Sequence, residues 1–229
     1  QLIDGVRIPV MVLALDAIVN LAAEIQLPDR GRLVGHAMPA QRLFTDLPDA
    51  DAFDPSAVAK LLEAKGRGRE MPPPVLIADA VTLDALAAER PPTWLREMLD
   101  ELWPGPLTVV FKAQPSLTWD LGETYGTVAV RVPDHEVARS VLRLAGPTAV
   151  SSANLSGQPA ATSVDEAQSM LGESVSVYLD AGNSAGSLPS TILDATGPIP
   201  RVLRQGAISI ETLHKFNNTI EPFGGQAGA

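Results

Sequence analysis

Short apolar runs alternate with amphipathic segments along this chain of 229 residues. Continuous runs of branched residues predict buried strands, and apolar residues recurring every three to four positions predict helices. The predicted strands cover residues 30–35, 74–78, 107–112, 127–132, 148–150, 175–182, 190–195 and 200–206. The predicted helices cover residues 9–25, 56–65, 82–89, 92–103, 135–146 and 163–172. This alternation predicts an α/β fold with a twisted mixed β-sheet and flanking helices.

The two ends of the chain differ from this regular middle. The apolar run 8–15 is too short to span a bilayer, so we assign it to the core and expect a soluble protein. Prolines and aspartates interrupt residues 35–51, which predicts a loop. The segment from Phe216 onward is rich in Asn and Gly and predicts a flexible tail over 216–229. We therefore expect one domain, residues 1–215, followed by this tail.

Composition narrows the possible functions. With 45% hydrophobic residues, the chain can bury a substantial core. Its net charge of −10 argues against a surface that holds nucleic acid by neutralising phosphates, so no stable nucleic-acid binding is expected. The chain has no cysteine, which excludes disulfides, thiolate catalysis and cysteine zinc sites and is compatible with the cytoplasm.

The first candidate site is a group of cations. Lys65, Arg67 and Arg69 in AKGRGREMP directly follow a predicted helix. Guanidinium and ammonium groups beside flexible glycines can enclose a polyphosphate. The alternative is that these cations only compensate the C-terminal end of the helix dipole. Taken by itself, the motif favours the alternative.

The second candidate site is the segment GPTAVSSANLSG, in which an apolar run leads into small polar residues. Ser151, Ser152, Asn154 and Ser156 offer hydroxyl and amide groups at a strand end, where ligand loops of α/β sheets usually lie. The alternative is a capped turn, because Ser and Asn are common turn residues. This segment is called the serine loop, residues 151–157.

The third candidate site lies on adjacent predicted strands near the C-terminus. These strands carry Ser190, Thr191 and Arg204, and Arg131 lies on another apolar strand. An arginine among apolar neighbours normally has an anionic partner. That partner is either a ligand or a carboxylate of the chain, for which the candidates are Asp180 and Asp194.

Two other chemistries are less favoured. A nucleophilic serine is not supported, because the chain has no G-x-S-x-G elbow and His36, His135 and His214 lie in contexts typical of surface or cap residues. The four aspartates within residues 46–54 could hold Mg²⁺, but a solvated acidic loop is the favoured interpretation. We therefore predict no metal site made by the protein.

Five segments together resemble the YrdC/Sua5 family of threonylcarbamoyl-AMP synthases in order and approximate spacing. They are KGRGREMPPPVLI, WPGPLTVVFKA, GTVAVRVPDH, GPTAVSSANLSGQPAATS, and GSLPSTILDATG followed by RVLRQGAIS. The resemblance is clearest over residues 50–209, whereas residues 1–49 diverge. It implies the single-domain YrdC-like fold, with a concave ligand groove.

The resemblance also implies an activity. The family forms L-threonylcarbamoyladenylate and pyrophosphate from L-threonine, bicarbonate and ATP, with Mg²⁺, and the product passes to the tRNA threonylcarbamoyl transferase complex for t6A modification. A cytoplasmic enzyme without membrane contact is implied. Carried over motif by motif, the resemblance implies that the catalytic residues are Lys65 and Arg67. The implied ATP-binding residues are Lys65, Arg67, Thr127, Ser152, Asn154 and Arg204. The implied threonine-binding residues are Arg131, Ser151 and Ser190.

One segment departs from the family pattern. Members carry a P-T-[DE]-T-V-Y-G loop at the threonine pocket, whereas this chain reads GHAMPAQRLFTDLPD. Pro39 is kept, but Phe44 and Asp46 stand where threonine and tyrosine are expected, and Thr45 is the nearest substitute. The alternative function is therefore a non-catalytic nucleotide- or RNA-binding module with an impaired threonine site. A carbamoyl-transfer relative, as in hydrogenase maturation factors, is disfavoured because the zinc-type cysteines are missing.

Overall fold

The computed structural model describes residues 52–134, 136–175 and 188–224. Several predictions concern residues outside these ranges: the helix 9–25, the strand 30–35, the loop 35–51 with its divergent motif, nearly all of the strand 175–182, His36, His135 and Asp180. These predictions remain predictions.

Helices and strands alternate through the described residues, as the sequence pattern predicts. The helices are α1 (Pro55–Ala64), α2 (Leu83–Leu86), α3 (Thr93–Leu102), α4 (Glu136–Ala145), α5 (Val164–Leu171) and α6 (Ile210–His214), with 3₁₀ turns at Ala80–Thr82 and Gly172–Ser174. The strands are β1 (Val75–Leu76), β2 (Leu107–Lys112), β3 (Thr127–Arg131), β4 (Thr148–Ala149), β5 (Thr191–Asp194) and β6 (Arg201–Arg204). None of the helices in the described part of the chain is long and apolar enough to cross a lipid bilayer. The sequence pattern did not predict α6.

Side-chain caps start α1 and α5, close to where the sequence predicts these two helices. Asp54 accepts a hydrogen bond from the backbone N–H of Ser56 at 2.8 Å, and Pro55 occupies the first turn of α1. Hydrogen bonding to Ser56, first by its side chain and then by its backbone N–H, lowers the pKa of Asp54. At α5, Ser163 accepts from the backbone N–H of Glu166 at 3.3 Å. These bonds satisfy N–H groups that have no partner inside the helix.

The six strands form one mixed sheet in the order β4-β1-β3-β2-β5-β6. The pairs β1–β3 and β2–β5 are parallel, and the other neighbouring pairs are antiparallel. The prediction of a mixed sheet is therefore confirmed. The predicted strands 74–78 and 148–150 are shorter in the structure, at two residues each.

The two faces of the sheet have different environments. Along β3, Val128 and Val130 are buried, whereas Thr127, Ala129 and Arg131 are partly exposed. Because side chains alternate between the faces of a strand, the valines point into one layer and the other three into the opposite one. The main core lies on the valine side, where it includes buried residues of α1 and α3.

The opposite side of β3, β2, β5 and β6 is called the open face. Pairing of Val109 with Val130 places Thr108 beside Arg131 on this face, and the β2–β5 register adds Ile192. Leu76 of β1 pairs with Arg131 and is buried outside the main core. Buried residues of α4 also lie outside that core, so we place α4 over the β1 end of the same face. The remaining strands form a partly exposed surface beside α4.

The chain after α6 packs against the sheet, which the prediction of a flexible tail from Phe216 did not anticipate. Ile220 is buried, and Glu221 accepts a backbone hydrogen bond from Val202 of β6 at 2.8 Å. Phe216 also packs against the core, so apolar contacts and a strand-like pairing hold a segment whose composition is typical of loops. Residues 225–229 lie outside the described residues.

Candidate functional site

The C-terminal end of α1 places the first cations. Gly66 has a φ of +58°, a conformation that glycine adopts at little cost. Its N–H donates to the carbonyl of Glu63 and the N–H of Arg67 donates to that of Leu62, both at 2.9 Å. This pair of bonds is a Schellman motif, which ends a helix and reverses the chain. Lys65 and Arg67 therefore sit on either side of a fixed turn.

Lys65 binds the serine loop. Its side chain is 1% exposed, and its Nζ donates to the backbone oxygens of Ser152 and Asn154 and, at 2.7 Å, to Asn154 Oδ1. An ammonium group has three N–H donors, so these three bonds use all of them. Burial, with a smaller contribution from the charge of Arg67, lowers the pKa of Lys65 to about 8.

The serine loop is also bonded internally. Ser152 Oγ donates to Asn154 Oδ1 at 2.6 Å, and Asn154 Nδ2 donates to the backbone oxygens of Leu155 and Gln158 at 3.0 and 2.6 Å. The backbone N–H of Ser156 donates to the Lys65 carbonyl at 2.9 Å. The loop therefore has the bonded turn that the alternative interpretation expects, and it is fixed to the end of α1.

Arg67 touches the same loop more loosely. Its Nε donates to Ser156 Oγ at 3.4 Å, and the side chain is partly exposed. Ser151, which comes before Ser156 in the same loop, is buried. Of the two cations, Arg67 is the one whose guanidinium can reach a ligand without losing short hydrogen bonds.

A second group of polar side chains lies on β2, β5 and β6. Arg204 donates from Nε and Nη2 to the Ser190 carbonyl at 3.1 and 2.9 Å, and from Nη2 to Ser190 Oγ at 2.9 Å. Ser190 Oγ lies 2.8 Å from Thr108 Oγ1. Burial lowers the pKa of Arg204. Sequence reasoning missed Thr108, although a threonine inside an apolar strand signals a buried hydrogen bond.

Of the two carboxylates proposed as partners of Arg204, Asp180 lies outside the described residues and Asp194 does not pair with Arg204. Asp194 lies 3.6 Å from Arg201 and accepts from the hydroxyl and N–H of Thr196. No carboxylate of residues 52–134, 136–175 and 188–224 forms an ion pair with Arg204. The alternative that Asp194 neutralises this arginine was therefore wrong.

Thr191 has a structural role. Its side chain is fully buried. Thr191 Oγ1 accepts hydrogen bonds from the N–H groups of Gly206 and Ile208 at 3.1 and 2.9 Å. It donates one to the carbonyl of Ile208 at 2.8 Å. These bonds fix the turn that follows β6. The side chain is thus committed to the fold and not to a ligand.

Arg131 and Thr127 mark the two ends of β3 on the open face. Arg131 Nε donates to the carbonyl of Gly105 at 2.8 Å, and Thr127 Oγ1 donates to that of Thr124 at 2.7 Å. The register places Arg131 beside Thr108 and hence near the second polar group. A five-residue strand separates the two ends by roughly 13 Å.

The serine loop lies at the Thr127 end of the sheet. The backbone N–H of Val150 donates to the carbonyl of Pro74, and β1 runs parallel to β3. Because β4 runs antiparallel to β1, the chain beyond Val150 continues past the start of β1 toward the Thr127 end of β3. The first polar group thus lies toward one end of β3 and the second toward the other, a separation that suits an extended ligand.

Two of the other predicted candidates are engaged elsewhere. Arg69 makes a two-point ion pair with Asp120, at 3.0 and 2.7 Å. His214 Nε2 lies 2.8 Å from the backbone oxygen of Ile220. No group of three His, Asp or Glu side chains in the described ranges is arranged to hold a metal ion.

Comparison with known proteins identifies relatives over most of the chain. The Sua5/YciO/YrdC family model, described as "Telomere recombination", matches residues 49–206. Relatives in Mycobacterium leprae and Mycobacterium tuberculosis carry the name "Putative threonylcarbamoyl-AMP synthase". The first is 49% identical over 191 residues, covering 83% of this chain and 84% of the relative. The second is 52% identical over 164 residues, covering 72% and 75%.

A solved structure supports the same relationship. The structure of Pyrococcus abyssi Sua5 complexed with L-threonine matches with a TM-score of 0.69 and 33% identity, over 75% of this chain. The match spans 51% of the archaeal protein, so this chain corresponds to about half of it. With the family model matching more than half of the residues and close relatives along most of the length, the chain belongs to the Sua5/YciO/YrdC family.

Proposed function

We propose that this protein is a threonylcarbamoyl-AMP synthase, which forms L-threonylcarbamoyladenylate and pyrophosphate from L-threonine, bicarbonate and ATP. The observation that carries the proposal is the 49% identity to a relative of that name, covering 84% of it. The family's polar motifs lie here at a bonded loop and on an open sheet face. Structural likeness to a Sua5 protein complexed with L-threonine supports the same substrate.

The chemistry suits a site of cations and neutral hydroxyls. The threonine amine attacks CO₂ derived from bicarbonate and loses a proton, which gives a carbamate. A carbamate oxygen then attacks the α-phosphorus of ATP, the α–β phosphoanhydride bond breaks, and pyrophosphate leaves. No bond to the protein forms, so the reaction needs positioning and stabilisation of phosphate charge rather than a nucleophile.

We assign the roles from the contacts of each residue. Arg67, whose single described side-chain bond is long, contacts the ATP phosphates. Lys65 contributes a buried positive charge and fixes the serine loop, because its three donors already bind that loop. Arg204 contacts the nucleotide while Ser190 and Arg131 bind threonine, and Thr127 lines the groove at the other end of β3. Ser151, Ser152 and Asn154 form the wall of the pocket.

In this proposal, Mg²⁺ reaches the site bound to ATP. The described residues contain no group of three His, Asp or Glu side chains that fits a protein-bound metal ion. We therefore propose that Mg²⁺ is carried on the phosphate oxygens of ATP, and no step is assigned to a protein-held metal. We further propose a cytoplasmic enzyme that passes its product to the tRNA threonylcarbamoyl transferase complex.

The test is pyrophosphate release from ATP by the purified full chain. We expect release only when both L-threonine and bicarbonate are present, with the threonylcarbamoyl adenylate detected by mass spectrometry. Omitting threonine, or replacing it with L-valine, provides the matched control. Release that is independent of threonine contradicts the proposal.

The divergent segment containing Phe44 and Asp46 keeps a second candidate function open. Under that candidate, the protein binds ATP without turnover and serves as a nucleotide- or RNA-binding module. Calorimetric titration with ATP, carried out beside the turnover assay, separates the two. Tight ATP binding with no threonine-dependent pyrophosphate selects the module.

A further inference from the structure

The connection between β2 and β3 lies against the segment that carries the cations. Arg69 donates from Nη1 and Nη2 to both carboxylate oxygens of Asp120, at 3.0 and 2.7 Å. The backbone N–H of Glu123 donates to the carbonyl of Arg69 at 2.8 Å. We call Arg69, Asp120, Gly122 and Glu123 the clasp.

Gly122 allows the two segments to approach closely. Its φ is +100°, and a Cβ atom at this position would lie 2.6 Å from the carbonyl oxygen of Arg69. No real side chain tolerates that distance without a shift of the backbone. The N–H of Gly122 also donates to Asp120 Oδ1 at 3.1 Å, which orients the carboxylate. Hydrogen bonds from Arg69 and Gly122 lower the pKa of Asp120, so the ion pair persists at neutral pH.

The clasp contributes little to global stability by itself. The side chains of Arg69 and Asp120 are 56% and 43% exposed, and exposed ion pairs stabilise proteins only weakly. Two-point arginine–carboxylate geometry, however, fixes orientation well. A contact of this kind is better suited to holding a segment in place than to holding the fold together.

The segment it holds has no regular structure. After α1 ends, the chain enters no helix or strand until Val75, and Arg67 lies within this stretch. On one side Arg67 has its long bond to Ser156 of the serine loop. On the other side, two residues further along, Arg69 is bound to Asp120 and Glu123. The position of Arg67 is therefore set between two loops.

We propose that the clasp positions Arg67 for the ATP phosphates; this inference rests on the proposed function. Arg69 and Asp120 are positioning residues: they act through the backbone of residues 66–70 and not by contact with substrate. Opening the clasp lets Arg67 move away from the phosphates. Misplacement of a substrate-binding group by about 1 Å can cost about 100-fold in rate.

Charge reversal separates this role from a simple electrostatic effect. Asp120→Arg removes one negative charge and adds one positive charge, so a long-range field would tighten ATP binding. The clasp hypothesis expects the opposite, because Arg69 is then repelled. We expect Arg69→Asp and Asp120→Arg each to lower kcat/KM for ATP by about 10- to 100-fold. The double reversal restores the pair and should recover activity to within about threefold.

Matched controls lie on α3, which carries no residue of the clasp and none of the proposed ligand-binding residues. Arg96 and Glu97 are exposed there. Arg96→Asp and Glu97→Arg introduce the same changes of net charge outside the clasp, and we expect each to stay within about twofold of the parent protein.

A backbone variant tests the same contact without changing charge. Gly122→Ala should reproduce the loss of the single reversals, because the methyl group collides with Arg69. Gly146→Ala is its control, since Gly146 also has a positive φ, of +83°, but no neighbouring atom lies within 4 Å of the position that a Cβ would occupy. Hydrogen exchange of the Glu123 amide reports whether the clasp has opened.

The outcomes are distinct. If Asp120→Arg tightens ATP binding, or if the double reversal is as poor as the single variants, the clasp proposal is wrong. If the Glu123 amide loses protection while kcat/KM stays unchanged, it is also wrong. If the parent protein shows no threonine-dependent turnover, the proposed function fails separately, and the calorimetric Kd for ATP across the same variants then decides the clasp.

Discussion

Replacing Lys65 by methionine tests whether the protein truly buries a positive charge. The variant keeps the length and apolar volume of the side chain but removes the ammonium group. The backbone oxygens of Ser152 and Asn154 then lose their Nζ donor, whereas Asn154 Oδ1 keeps the hydroxyl of Ser152. Each unsatisfied buried acceptor costs about 1–3 kcal/mol.

The sign of the pH dependence follows from the depressed pKa. Burial lowers the pKa of Lys65 from 10.5 to about 8, so between these values the unfolded chain binds more protons than the folded one. The free energy of unfolding of the parent protein therefore rises with pH in this window. Below pH 8 that gain is absent, because Lys65 is protonated in both states.

The magnitude can be worked out from the same pKa values. One proton of difference gives a slope of about 1.4 kcal/mol per pH unit, and raising the pH from about 7 to about 9.5 adds about 2 kcal/mol. Lys65→Met lacks this group, so its stability difference from the parent should widen by that amount. Urea unfolding of both proteins at the two pH values measures it. Lys60→Met, on the exposed side of α1, is the control and should show no such widening.

A constant difference between parent and Lys65→Met, within about 0.5 kcal/mol, would refute the reasoning. It would mean that water reaches the ammonium group or that the unfolded chain titrates in the same way. Activity provides the second measurement. Because neutral Lys65 lends no charge to the site, we expect KM for ATP to rise as the pH passes 8 in the parent protein.

Three further substitutions test individual contacts. Arg204→Ala should weaken ATP binding by about 10- to 100-fold in calorimetry, because it removes charge-assisted bonds. Exposed Arg96→Ala is the control. Thr191→Val should lower the free energy of urea unfolding by about 2–4 kcal/mol, because two buried N–H groups lose their acceptor. Thr108→Val should raise KM for threonine several-fold. It should change the free energy of unfolding by less than about 1 kcal/mol, since only the bond to Ser190 is lost. An unchanged KM contradicts the proposal that Ser190 binds threonine.

The sequence predicted helices and strands well where their positions depend on neighbouring residues. The predicted helix 56–65 agrees with α1 to within one residue at each end, because Asp54 with Pro55 at its start and Gly66 after its end are local features. The strands β2 and β3 were found from their continuous apolar runs. These predictions needed no knowledge of which strands pair.

Features that depend on tertiary pairing could not be found in the same way. The short strands β1 and β4 end where their partners end, which the apolar run 74–78 does not encode. The bond between Arg69 and Asp120 joins residues 51 positions apart, so the sequence alone presented Arg69 as one of three equivalent cations. The packing of Ile220 could not be predicted either, because it also depends on tertiary contacts.

The hydrogen-bond partners of the candidate residues distinguish those that serve the fold from those that also contact other candidate residues. The structure describes seven buried polar or charged side chains: Lys65, Thr108, Thr148, Ser151, Asn154, Ser190 and Thr191. Five of them had been selected from sequence: Lys65 as a cation beside glycines, and four others as small polar residues beside apolar strands. Their geometry then distinguished Thr191, which serves the fold, from Ser190, which also binds Arg204.

The distribution of charge gives the strongest physical link between this structure and an anionic substrate. The chain carries a net charge of −10, and carboxylates are therefore abundant as partners. Arg69, Arg139 and Lys112 each pair with one. Within the described part of the chain, Lys65 and Arg204 instead bind only neutral oxygens, at the cost of lowered pKa values. The phosphate groups of ATP would compensate both charges, in agreement with the proposed function.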